Sequence, residues 1–110
     1  MIRFLTATAA LAIAIGLTDG STAFAGPSMV TNWTATTLNQ KQCMQRAERV
    51  MRDAGLGKNL DIVGQSVFGQ DGGYTSVMRC ISDKGLVYFV VGGPSLDGSK
   101  KRMRSLFDNF

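Results

Sequence analysis

Apolar and polar positions alternate with a changing period along the chain. The densest apolar stretch, Tyr74–Gly93, reads as one β-hairpin. Val77, Met78, Ile81 and the run Leu86–Val91 supply its β-branched and aromatic content. Ser82-Asp83-Lys84-Gly85 separates the two runs, with a glycine placed to close the turn. Leu86–Val91 is apolar at every position, so neither face of that strand is expected to meet water. On the preceding strand Tyr74, Ser76, Met78 and Cys80 share one face.

Upstream, the period changes to that of a helix. Cys43, Ala47, Val50 and Ala54 form one stripe, with Met44 and Met51 at its edge. Thr37 and Gln40 have capping-box spacing, and Gly55-Leu56 matches a glycine C-terminal stop. Strict alternation marks two further strands. In Met29–Ala35, the residues Met29, Thr31, Trp33 and Ala35 share a face, and Trp33 is expected to pack on the domain. Leu60–Phe68 reads as a single strand whose small residues Gly64 and Ser66 admit a close helix. A turn centred on Asp71-Gly72 leads to the hairpin. Beyond Pro94, Ser95 or Ser99 caps a final helix towards Asn109, with Met103, Leu106, Phe107 and Phe110 on its apolar side.

The first 25 residues have a different character. Arg3, the apolar run Phe4–Leu17 and the small-x-small triplet Ala23-Phe24-Ala25 fit a secretory leader cleaved near Ala25. The apolar run is shorter than the ~20 residues a membrane span needs. The expected organisation is a leader over 1–25 and one small domain over 26–110, exported to the periplasm or the extracellular space. Arg3 and Asp19 cancel, so the domain keeps the net charge of +4.

A domain of this size buries too little surface to be comfortably stable without help. The two cysteines, Cys43 and Cys80, answer that need as a disulfide in an oxidising compartment. Closing the loop between them would contribute roughly 4 kcal/mol in the chain-entropy picture. They lack the Cys-x-x-Cys spacing of a redox pair.

Chemistry for catalysis is sparse. There is no histidine, which removes the commonest general base and metal ligand. Glu48 is the only glutamate, and the aspartates of the domain are scattered with no paired spacing. The methionines are dispersed on core faces rather than grouped as soft metal ligands. No enzyme activity, cofactor, metal or nucleic-acid partner is expected.

Two surfaces carry the functional expectation. Lys100, Lys101, Arg102 and Arg104 crowd the start of the last helix, beside Phe107 and Phe110, and could grip an anionic membrane surface or acidic partner. Val87, Phe89 and Val91 are assigned to the sheet face away from the helices, where either the N-terminal segment or another protein, a partner or a second copy, would cover them. The fold read from the sequence is a two-layer α+β domain, an antiparallel three- to four-stranded meander with helices on one face and one disulfide. Its order is β-α-β-β-β-α. The role expected of it is non-enzymatic binding, with attachment to an anionic envelope surface as the alternative.

Overall fold

A computed structural model describes residues 26–110; the leader assigned to residues 1–25 lies outside the described residues. Five antiparallel strands form one sheet: β1 (Ser28–Ala35), β2 (Asp61–Val63), β3 (Ser66–Asp71), β4 (Tyr74–Ile81) and β5 (Leu86–Gly93). Their spatial order is β1-β5-β4-β3-β2. Two helices, α1 (Gln40–Asp53) and α2 (Leu96–Asn109), pack on one face. The domain is therefore a two-layer α+β sandwich with its core between helices and sheet.

The central hairpin forms as its composition dictates. Ile81 pairs with Leu86 across a single 3₁₀ turn, Ser82–Lys84, which ends on Gly85 at φ +67°. This closing pair sets the register Cys80–Val87, Met78–Phe89 and Ser76–Val91, and all six residues lie buried on the helix side. Val87, Phe89 and Val91 are thus core residues and not a free apolar interface. The continuous apolar run hides which alternate set faces the helices, and only the register decides it.

The strand expected over Leu60–Phe68 is two strands. Val63 pairs with Ser66 across the two-residue turn Gly64-Gln65, with Gly64 at φ +59°. A glycine at the first position of such a turn suits the strongly twisted II′ hairpin. The break supplies the fifth strand. It also leaves β2, three residues long, as a short outer edge to the sheet.

Helix α1 is capped two residues beyond Thr37. Asn39 is its cap: the Asn39 side chain accepts from the Gln42 N–H, and the Gln42 side chain accepts from the Asn39 N–H. At the other end, Gly55 N–H donates to the Arg52 carbonyl and Leu56 N–H to the Met51 carbonyl. That bond pair is a Schellman stop, with Gly55 at φ +78° and Leu56 fully buried beneath the turn. The stripe Cys43, Ala47, Val50 and Met51 faces the sheet. Cys43 reaches Cys80 on β4, and the two form the disulfide, both wholly buried.

Helix α2 lies across β5 and β1. Ser95 caps it by accepting from Gly98 N–H, and Ser99 sits buried inside its first turn, sharing a 2.9 Å hydrogen bond with Ser28 on β1. Its far end is held by aromatics: the rings of Phe107 and Phe110 meet Phe89 edge-on at 5.3 and 5.9 Å. Arg46 of α1 closes this end, donating to the Phe110 carbonyl and standing over its ring.

Candidate functional site on the open face of the sheet

The helices cover one face of the sheet. The opposite face is assembled from the alternate residues of each strand, and its composition departs from the polar coat expected of a sheet that meets only water. β1 contributes Met29 and Trp33, which are 62% and 60% exposed. Trp33 does not pack on the domain: strand alternation turns it away from α2, while Val30 and Thr34 turn towards the helices. β5 contributes Leu86, Tyr88 and Val90, β4 contributes Val77 and Arg79, and β3 contributes Phe68.

Register aligns the largest of these side chains. Trp33 pairs with Tyr88, and Tyr88 with Arg79, so tryptophan, tyrosine and arginine form one row across three adjacent strands. Cross-strand neighbours in such a row stand roughly 5 Å apart. Arg79 continues the row towards β3, donating to the Ser66 hydroxyl at 3.4 Å and to the Gln65 side-chain oxygen at 3.3 Å. These bonds steady the guanidinium while leaving Arg79 exposed. The next row, Thr31, Val90, Val77 and Phe68, is apolar except at its β1 end. Beside it, Gly92 has no side chain, and the Met29 sulfur fills the space a Cβ would need. The result is a shallow groove bounded by Met29, Val77, Val90 and Thr75. Neither row is continuous in the sequence, because it runs across strands that register alone brings together.

The basic cluster is divided by the same geometry. Arg102 is not a free cation. Its Nη2 lies 2.7 Å from the Asp71 carboxylate, its guanidinium stacks on the Tyr74 ring at 3.7 Å, and its Nη1 donates to the Gly98 carbonyl. Tyr74 in turn shares a 2.8 Å hydrogen bond with Ser95, the cap of α2. Arg102 therefore ties α2 to the β3–β4 turn. Lys100, Lys101 and Arg104 are exposed. Asp97 stands four residues before Lys101, and Asp108 four residues after Arg104, on the same helical stripe, which reduces the net charge presented there.

No group of three or more histidine, cysteine or acidic residues close enough to hold a metal ion occurs among the described residues. No helix among them is long and apolar enough to cross a membrane. No protein-family model matches the sequence, and a comparison with curated proteins finds no significant match.

Proposed function

We propose that this chain is an exported, non-enzymatic domain that binds another protein through the open face of its sheet. The observation that carries the reading is the row Trp33–Tyr88–Arg79. Tryptophan, tyrosine and arginine are the side chains over-represented at the energetic centres of protein interfaces. Here they stand together beside the apolar row Val90, Val77 and Phe68, where burying them would stabilise a complex and leaving them wet has no structural benefit. The leader-like segment and the buried disulfide support export.

The test is capture from envelope extract by oxidised protein comprising residues 26–110, at low and high salt. A discrete protein should be retained at high salt by the native domain and by a Lys100→Ala/Lys101→Ala/Arg104→Ala variant. It should be lost by Trp33→Ala and by Arg79→Ala. Capture that depends on the three helix cations and vanishes with salt would overturn the reading. It would favour the anionic-surface alternative, which rests on Lys100, Lys101 and Arg104 now that Arg102 is engaged.

A further inference from the structure

The two edges of the sheet are unlike. On the β3 side, the outer edge is taken up by the three-residue β2 and by a parallel bridge from Gly57 to Gln70. On the other side, β1 is an eight-residue edge strand, SMVTNWTA, with no charge, proline, glycine or bulge in it. Edge strands normally carry such features because their unpaired backbone groups template the addition of another strand.

Which groups point outward follows from the ladder. Thr36 N–H donates to the Gly85 carbonyl, so the even-numbered residues of β1 turn their backbone groups to β5. Met29, Thr31, Trp33 and Ala35 turn theirs away from the sheet. Of their N–H groups, that of Trp33 is met locally, by the Asn32 side chain at 2.9 Å.

We propose that β1 pairs antiparallel with β1 of a second copy, about a two-fold axis at Asn32. The register follows from the residues. Centred on Asn32, all four outward-facing residues enter hydrogen-bonded pairs: Met29 opposite Ala35 of the second copy, Thr31 opposite its Trp33, and the reciprocal two. Each pair sets a large side chain against a small one on the open face, which is the self-complementary packing a two-fold seam requires. Centring on Thr31 instead would set Ala35 against Pro27, which has no N–H to give, and Met29 against Trp33. Centring on Trp33 would run Met29 past Ala35, where β1 ends. The seam carries no charge on either copy, so the domain's positive charge does not oppose it at contact. Trp33 N–H exchanges its Asn32 partner for a carbonyl across the seam. The pairing stands independently of what the open face binds.

Sedimentation of the oxidised 26–110 domain over the micromolar to millimolar range tests this. Native protein should pass from monomer to dimer. Thr31→Pro removes only an outward N–H and is of the kind edge strands tolerate, so it should stay monomeric with an unchanged melting temperature at low concentration. Cross-linking reads the register without relying on that variant. Opposed residues in a non-hydrogen-bonded pair lie about 4.5 Å apart at Cα, within disulfide range. Asn32→Cys should therefore oxidise to a covalent dimer, and Thr31→Cys and Trp33→Cys should not. A native domain that remains monomeric throughout overturns the proposal, and a foreign protein captured in a Thr31→Pro-sensitive way would then assign the edge to a heterologous strand. Preferential cross-linking at 31 or 33 overturns the register.

Discussion

Arg102 stacks on the ring of Tyr74 at 3.7 Å while binding Asp71, so one side chain on α2 holds both ends of the β3–β4 turn. Its side chain is 24% exposed and that of Asp71 42%, so the ion pair alone is a modest contributor. Together with the ring contact, removing it should cost about 1–2 kcal/mol. Arg102→Ala should then lower the melting temperature by roughly 5–15 °C for a domain of this size. Arg102→Lys should recover little, because an ammonium cannot reproduce the planar stack and fork. A thermal melt equal to native for either variant would refute this account.

The disulfide joins residues 37 apart in sequence and both cysteines are fully buried. Cys43→Ala/Cys80→Ala should lose roughly 3–4 kcal/mol of unfolding free energy, measured by urea titration. Because solvent does not reach the sulfurs, reductant should attack only after the structure opens. The rate of thiol appearance should follow unfolding as denaturant is raised, rather than reductant concentration alone.

Ser76 places a hydroxyl in the core with no hydrogen-bond partner among the described residues. Replacing it removes a desolvated polar group and little volume, so Ser76→Ala should leave stability unchanged or raise it by about 1 kcal/mol. A loss above that size would mean that the hydroxyl is paired after all.

At Gly69, β3 passes close against the end of α1. A Cβ there would overlap the Leu56 carbonyl oxygen and press on the Met51 sulfur. The backbone cannot yield as a side chain would. Gly69→Ala should cost about 3 kcal/mol, the upper range for overpacking. By contrast, a Cβ at Gly26 meets nothing among the described residues, and Gly26→Ala should be silent in the same urea titration.

Trp33 is the only tryptophan, and it is mostly exposed. Trp33→Ala should change folding stability by less than about 0.5 kcal/mol. Native emission should already resemble that of a solvated indole, and it should shift to the blue when the open face is covered. A blue-shifted spectrum in dilute monomer would contradict the exposed placement.

Much of this architecture is legible in the residues themselves. The α1 stripe, the Gly55 stop, the central hairpin and the Cys43–Cys80 pair follow from local periodicity and turn chemistry. Non-local information was harder to extract. Thr37–Gln40 and Asn39–Gln42 have the same spacing, so capping chemistry alone cannot choose between them. Gly64 sits in an alternation that continues on both sides, which disguises a two-residue turn as a packing glycine. Val87, Phe89 and Val91 fall in a run with no polar marker. The turn length from Ile81 to Leu86 carries the signal: it opposes Val87 to Cys80, which the disulfide places on the helix side. The Trp33–Tyr88–Arg79 row needed two registers at once, and no local pattern encodes it.

The shortness of β2 has a consequence for assembly. A sheet that could accept a new strand at either edge would grow without limit, each copy offering the next a fresh template. Here the far edge offers only the three residues Asp61–Val63, the first of them acidic. If β1 pairs with a second copy as proposed above, addition is open at one end and blunted at the other, and edge pairing should saturate at two chains. In that assembly the Gly64 turn, by folding β2 back into a stub, would separate a closed pair from a fibre.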